Sequence, residues 1–486
     1  MFYINWRGTI AIISYMTVGQ GIFMLIPCLT DILYARSEWK IFFTCAVVCI
    51  FLGLSLGVIN KSFIRSVLSL KEGLLLTALA WFIISAVSAI PFAISPYNIS
   101  YINGYFESMS AFTTTGATVI KDLNQLSPGF HIWRALLQWF GGIGIVLTGV
   151  ALLPALGSGG MQLFKIEAFE TFGSALSKAK SIITGIFIIY TLITIIFIML
   201  LWIIADISFF DSIIHSMTSI STAGFSNYNG GVNELNNIAV DIILPFEMIL
   251  GASPFMLLYY LLFLNKGLLF KDEQFIAFIK TLIVISLILI LYIHIYNGIN
   301  WTTAITKGWF TIVSIVTGTG AITTNYAQWG AFPSLLILFS GFIGGCAGSS
   351  ACGAKIFRYQ IAFRIAQNTL HKSFLQNYIL SPYYNKKAIS NQVTISVFSY
   401  FFLLFIILFI VTLLLSLSRH DFLTSFSAAL TCLMNVGPGL GDVIGPVGNF
   451  SNFNNMDKII LSITMFIGRI EIFGALFIFS KKFWKK

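Results

Sequence analysis

Ten stretches of roughly 20 apolar residues run along this chain, beginning near Ile10, Ile41, Gly73, Ile132, Ile182, Ile238, Phe275, Ala331, Val393 and Lys458. As helices, segments of about 20 residues cross about 30 Å of hydrocarbon. Within each of the last four pairs of stretches lies a segment of about 30 residues, more than a simple turn needs. Its first half keeps a helical apolar pattern, over 102–112, 209–220, 301–316 and 421–433. Its second half carries a glycine segment that does not continue as a helix. The pattern predicts an all-α polytopic membrane protein: two N-terminal helices, then four helix/pore-loop/helix repeats in pseudo-fourfold arrangement around one pore. The expected divisions are 1–68 for the leading helices, then 69–165, 166–268, 269–390 and 391–486 for the four repeats.

The four glycine segments share one signature, an apolar residue followed by Ser or Thr, with glycine six positions after the hydroxyl. The copies are Met109-Ser110 to Gly116, Met217-Thr218 to Gly224, Val313-Ser314 to Gly320 and Leu430-Thr431 to Gly437. A second apolar residue stands four places before each glycine, at Phe112, Ile220, Val316 and Leu433. The glycines are 108, 96 and 117 positions apart, room for one unit each. A single such segment reads as an ordinary loop or helix end; four in matching context read as one element repeated around an axis.

Composition agrees with the pattern. Hydrophobic residues make up 57% of the 486, charged residues 9%, and the mean hydropathy is +0.89, too few polar side chains to cover a soluble globule. The first apolar stretch follows Arg7 but runs long, lacks a small-residue cleavage site and leads into a second span, so it reads as a retained helix rather than a signal peptide. Most of the 28 Lys and Arg residues fall in the N-terminal tail, the even-numbered connections and the C-terminus. The opposite loops hold only Arg36, Lys40, Lys121, Arg134, Lys307, Arg419 and Lys458, and two more, Lys280 and Arg469, lie within spans. The positive-inside rule then makes both termini cytoplasmic and brings all four short segments in from outside. The net charge of +10 is read as this topology signal and not as nucleic-acid binding.

The glycine segments read Thr113-Thr114-Thr115-Gly116-Ala117-Thr118, Ser221-Thr222-Ala223-Gly224-Phe225-Ser226, Thr317-Gly318-Thr319-Gly320-Ala321-Ile322 and Met434-Asn435-Val436-Gly437-Pro438-Gly439. None offers a carboxylate or a lysine, only hydroxyls, an amide and backbone carbonyls. Such oxygens suit a weakly hydrated monovalent cation, and carbonyl rings that replace a hydration shell are how potassium filters work. Irregular backbone at membrane depth is tolerated where protein or a water-filled cavity satisfies it. A re-entrant helix ending there turns the negative end of its dipole toward the ion.

Phe112-Thr113-Thr114-Thr115-Gly116-Ala117-Thr118 and Asn435-Val436-Gly437-Pro438-Gly439, together with Gln138-Trp139-Phe140-Gly141-Gly142-Ile143-Gly144, Leu153-Pro154, Gly159-Gly160-Met161-Gln162-Leu163, Gly344-Gly345-Cys346-Ala347-Gly348-Ser349 and Gly468-Arg469-Ile470-Glu471, resemble the Trk/Ktr/HKT superfamily of potassium transporters, most closely its TrkH-type membrane subunits. The likeness runs over nearly the whole length in the same order. It implies potassium uptake across a bacterial inner membrane by a homodimer of single-chain pores working with a cytosolic nucleotide-binding (NAD/ATP) TrkA-type regulatory ring. No cofactor is expected beyond K⁺ ions in the filter. By the same resemblance the filter carbonyls come from the two residues before each glycine: Thr114 and Thr115 before Gly116, Thr222 and Ala223 before Gly224, Gly318 and Thr319 before Gly320, Asn435 and Val436 before Gly437. Gly318 and Val436 depart from the Thr-rich first copy and leave room for some sodium or rubidium permeation.

The run 341–353, GFIGGCAGSSACG, interrupts the second span of the third unit. Taken alone it fits either close helix packing by small residues or a broken helix whose loop obstructs the path. The resemblance favours an intramembrane gate built from Gly344, Gly345, Ala347, Gly348, Ser349 and Ser350, with Arg469 stabilising it and Lys355 either holding the loop or ending a helix at the cytoplasmic surface. A partial likeness to a phosphate-binding loop at 348–355 fails, because Ala354 stands where lysine is required. Arg469 and Glu471, two apart, would face different sides of a helix, so a pair between them is not expected.

Glu107, Asp211 and Asp421 lie near the starts of three short helices and are read first as complements to the helix dipole, with attraction of cations to the mouth as the alternative. Glu247, beside Pro245, is open between a pore-facing and a dimer-contact place. The six cysteines read as small buried hydrophobes, and the five histidines are too scattered to bind a metal together. No nucleophile, base or metal set points to an enzyme. No nucleotide-binding signature is present either, so nucleotide control would come from a partner on the basic face at 355–387. The runner-up reading is a potassium symporter coupled to Na⁺ or H⁺. That class builds on inverted halves, whereas these repeats share one orientation.

Overall fold

In the computed structural model, residues 5–65, 68–151, 175–264, 267–374, 382–385 and 387–484 are described. The motifs Leu153-Pro154 and Gly159–Leu163 and the division at 165 lie outside them. The leading part consists of Trp6–Phe23, continued after Met24 by Leu25–Leu33, and then Trp39–Asn60. Four units follow. The first contains Leu70–Ala93, Tyr101–Phe112 and Pro128–Ala151. The second has Ala175–Ile203, Phe209–Ile220, Ile238–Gly251 and Phe255–Phe263. The third has Glu273–Ile295, Trp301–Val316, Ala331–Ser340 and Ile356–Phe374. The fourth has Asn391–Ser416, Phe422–Met434, Asn455–Arg469 and Glu471–Phe479. The strands among the described residues form one antiparallel ladder, Tyr383–Tyr384 with Lys387–Ala388.

The short middle helix of each unit, here called its pore helix, begins at Ser100, Ser208, Asn300 or Asp421. Three of these side chains, of Ser100, Ser208 and Asp421, accept a hydrogen bond from the first turn, donated by the backbone N–H of Asn103, Asp211 and Thr424, and so satisfy donors that a helix start leaves free. Asp421 is thus a cap, and the hydrogen bonds from Thr424 hold its carboxyl below the usual range. The pore helices form the buried centre: Phe106, Met109, Ile312, Val313, Ala428 and Leu430 are closed off. The long helices around them turn bulky residues such as Phe51, Phe402, Phe405 and Phe409 outward, as a lipid-facing surface allows.

Seven described helical stretches, Trp6–Leu33 counted as one, are long and apolar enough to span a membrane without a sharp bend. The remaining three expected spans are broken, and all three are second helices of their units. Ile238–Gly251 and Phe255–Phe263 meet at 96°, and Asn455–Arg469 and the helix from Glu471 meet at 115°. In the third unit residues 341–355 form a loop between Ala331–Ser340 and Ile356–Phe374. The sequence reading expected a break only there. The second-unit break carries Pro254, which has no N–H to continue the ladder, and the fourth turns at Glu471 in the left-handed region (φ 60).

In units one, two and four a glycine lets the second helix close on its own pore helix, and in units two and four the break follows shortly after it. A Cβ on Gly141, Gly251 or Gly468 would run into the carbonyl oxygen of Phe112, Ile220 or Leu433. Those three carbonyls belong to the apolar residues that stand four places before the repeat glycines, so the signature extends into the second helices.

Candidate functional site

All four pore helices end the same way. The residue two before each repeat glycine turns into the left-handed region, with φ 52 at Thr114, 51 at Thr222, 77 at Gly318 and 53 at Asn435. The repeat glycine does so again, at φ 80 (Gly116), 74 (Gly224), 69 (Gly320) and 98 (Gly437). Gly318 therefore supplies the same torsion as Thr114, Thr222 and Asn435, and at lower steric cost. The hydroxyl residue of the signature is the anchor. Its backbone carbonyl accepts from Thr115 N (2.8 Å to Ser110 O), Ala223 N (2.9 Å to Thr218 O), Gly320 N (3.1 Å to Ser314 O) or Val436 N (2.9 Å to Thr431 O), closing the helix end as a left-handed cap does.

The four segments meet in a closed ring. A Cβ on Gly116 would collide with the Ala223 carbonyl oxygen, one on Gly224 with that of Thr319, one on Gly320 with that of Val436, and one on Gly437 would stand 2.6 Å from that of Thr115. Segment one thus abuts two, two abuts three, three abuts four and four returns to one. The carbonyls at these seams belong to the residues immediately before the glycines. Asn435 ties the last seam again, donating from Nδ2 to Thr115 Oγ1 (2.8 Å) and to Met465 O (2.9 Å). On one side of the ring all four glycines border an open pocket, the mouth, with Thr118, Ser226 and Pro438 also on its wall.

The loop 341–355 lies against the other side. Thr222 Oγ1 donates to Ser350 Oγ (3.3 Å), and Thr114 Oγ1 is 3.8 Å from Cys352 Sγ. The loop and the second-unit break satisfy each other's backbone: Ser350 N donates to Gly251 O (3.0 Å), Cys346 N to Ala252 O (3.0 Å) and Phe255 N to Gly348 O (3.0 Å). Ser350 Oγ adds bonds to Ile220 O and Gly251 O, and Ala347 N donates to Gln274 Oε1 (2.9 Å). Ser349 Oγ bonds Cys346 O (2.6 Å), while Gly345 packs on Ala252 and Gly344 on Gly353 across the neck of the loop. Arg469, only 2% exposed, donates from Nη1 to Ser350 O (3.0 Å) and to Cys352 Sγ, and from Nη2 to Gly141 O (3.0 Å).

Glu471 bonds Arg358 Nη2 at 2.6 Å, and the same guanidinium lies 3.9 Å from the Tyr400 ring centre and donates to Ala354 O. Sequence reasoning kept Glu471 apart from Arg469 but missed Arg358, because nothing local marks a pair separated by 113 positions. Lys355 is buried at the loop's end in the left-handed region (φ 63). Replacing Arg358 with Met strands Glu471, and removing one partner of a buried pair costs roughly 3–5 kcal/mol; thermal unfolding in detergent is expected to start several degrees lower.

Glu107 differs from its sequence reading, while Asp211, in the first turn of its helix as expected, and Glu247 gain partners that the sequence does not name. Glu107 lies past the first turn of its helix and fully buried, bonded to Thr118, Val119 and Arg134, so it caps nothing. Arg134, counted with the loops, is likewise buried inside Pro128–Ala151. Asp211 grips its own return segment through Asn227 Nδ2 (2.6 Å) and the Tyr228 hydroxyl (3.0 Å); burial, then the facing Asp211, push that phenol up to about 12. Glu247 is fully buried behind pore helix two, accepting from Ser216 Oγ (2.6 Å), and so reaches no outer surface of the chain. The six cysteines are buried and free.

Residues 40–486 match the sequence profile of the family described as TrkH, cation transport protein. The chain belongs to the TrkH family. Among TrkH relatives, the Trk system potassium uptake protein TrkH of Vibrio parahaemolyticus is 32% identical over 99% of this chain and 100% of its own. TrkI of Halomonas elongata, also a Trk system potassium uptake protein, is 31% identical over 99% and 98%. The crystal structure of the potassium transporter TrkH from Vibrio parahaemolyticus superposes with a TM-score of 0.90 at 30% identity, covering 99% of this chain and 100% of that one. This TrkH-family chain is thus a multi-pass membrane protein built as two helices plus four pore repeats.

Proposed function

We propose that this chain takes up potassium across a bacterial inner membrane through the ring of four glycine segments, with both termini in the cytoplasm. The closed ring is the observation that carries the reading. It brings together Thr114, Thr115, Thr222, Ala223, Gly318, Thr319, Asn435 and Val436, whose backbone carbonyls stand in for the water of a dehydrating ion, with four pore-helix C-termini aimed at it. The relatives' names, which refer to potassium uptake, support the choice of ion.

The loop 341–355, held by Arg469 beneath the ring, acts as the gate, and opening requires it to leave its bonds to the second-unit break. Family membership supports a homodimer and a cytosolic nucleotide-binding ring that docks on the face carrying Ile356–Phe374. The chain's own part is conduction, with no chemical step.

Purified protein in liposomes is expected to pass K⁺ with a current that reverses near the potassium equilibrium potential and shifts with the potassium gradient alone. A flux that stops when a Na⁺ or H⁺ gradient is removed would replace the pore by a symporter.

A further inference from the structure

Glu107 and Arg134 are oppositely charged, almost wholly buried, and placed beside the ring rather than in it. Glu107 projects from pore helix one onto the return limb of its own segment. It accepts from Thr118 Oγ1 (3.0 Å) and Val119 N (2.9 Å), two and three residues past Gly116. Arg134, from the second helix of unit one, donates from Nε to Glu107 Oε1 (2.9 Å) and from Nη1 to Ser226 O (2.8 Å), two residues past Gly224. Its guanidinium also lies 4.0 Å from the ring centre of Phe225. One turn further along that helix, Gln138 takes both sides of Gly224, donating to Ala223 O (3.1 Å) and accepting from Phe225 N (3.2 Å).

We infer that the Glu107–Arg134 pair, with Gln138, is a brace that fixes the separation of filter segments one and two and thereby sets the discrimination between potassium and the smaller sodium ion. The inference rests on the ring's being the ion filter. The guanidinium is suited to this work because its planar fork fixes two directions at once, and charge-assisted bonds are shorter and about twice as strong as neutral ones. In segments three and four the return limb is instead held to its own pore helix by a hydroxyl: Ser314 Oγ donates to Ala321 O (2.7 Å), and Ser427 Oγ accepts from Leu440 N (3.0 Å). A charged side chain thus spans the one–two seam. Arg134 and Glu107 are positioning residues, since neither carbonyls nor ions of the ring are theirs.

The test compares wild type, Arg134→Gln, Arg134→Lys and the double variant Glu107→Gln/Arg134→Gln in liposomes, reading the K⁺/Na⁺ permeability ratio from bi-ionic reversal potentials. Arg134→Gln is expected to lower the ratio by about tenfold, since a binding constellation must be held within about 0.5 Å of its working geometry. Arg134→Lys recovers only part, because an ammonium keeps the charge but loses the fork. The double variant has no stranded carboxylate, folds where the single does not, and keeps a lowered ratio. A folded, conducting double variant with the wild-type ratio overturns the brace and leaves the pore reading intact. Wild-type liposomes that show no potassium preference overturn both.

Discussion

Gly116→Ser lowers potassium over sodium discrimination by about tenfold or more while the chain still folds and conducts, because a shift of about 1.4 kcal/mol between the two ions already changes the ratio tenfold. Two effects act together. At φ 80 an L-residue carries a strain of about 1–2 kcal/mol, and its Cβ is driven into the Ala223 carbonyl oxygen. A backbone oxygen fixed in the neighbouring segment cannot swing away as a flexible side chain would. Segments one and two therefore part, the ring widens, and a site fitted to a dehydrated potassium ion loses its advantage over one that tolerates a hydrated sodium ion. The remainder of unit one keeps its anchors, Ser100 at the helix start and the Ser110 carbonyl at its end. Bi-ionic reversal potentials on the purified variant check this; an unaltered ratio would take the glycine ring out of selectivity.

The ring was legible in the sequence because each segment must satisfy a local backbone rule. A left-handed torsion at a crowded seam admits glycine and little else, and that requirement prints one glycine per unit at a fixed distance from its anchor hydroxyl. The pore helices were legible too, since their apolar pattern and polar starts are local signals. The breaks in the second helices were not. Gly251 and Gly468 look like ordinary small residues in apolar runs, and only their seats against Ile220 and Leu433 reveal them. Gly141, Gly251 and Gly468 stand 25, 27 and 31 positions after the repeat glycines of their units, a spacing that loops of unequal length blur. Pairings such as Glu107 with Arg134, Glu471 with Arg358 and Lys307 with Asp241 (2.7 Å) depend on how helices from different parts of the chain cross. Charge counting along the sequence treats Arg134, Lys307 and Lys458 as loop residues for the same reason. Burial of Lys458 beside Asn103 (2.8 Å) is an event of packing, and topology rules weigh only position.

Arg469→Ala is expected to raise potassium flux by about tenfold at an unchanged potassium to sodium ratio. The loop 341–355 is held from two sides. On the second-unit side the bonds include backbone to backbone ones, Ser350 N to Gly251 O and Cys346 N to Ala252 O, which side-chain truncation leaves in place. On the other side the fastening includes one guanidinium that reaches Ser350 O, Cys352 Sγ and, across to unit one, Gly141 O. Hydrogen bonds to a charged group contribute about 1.5–3 kcal/mol each, so losing the fork shifts the closed loop toward release by at least a factor of ten, and the loop then swings about its second-unit side as a hinge. The ring keeps its own bonds, from Thr115 N to Ser110 O through Val436 N to Thr431 O, so ion preference persists. Deleting several residues within 344–351 should raise flux in the same way. Tracer uptake into liposomes gives the rate and reversal potentials give the ratio. An increase in flux accompanied by lost discrimination would make Arg469 a support of the filter, and an unchanged flux would remove the loop as the gate.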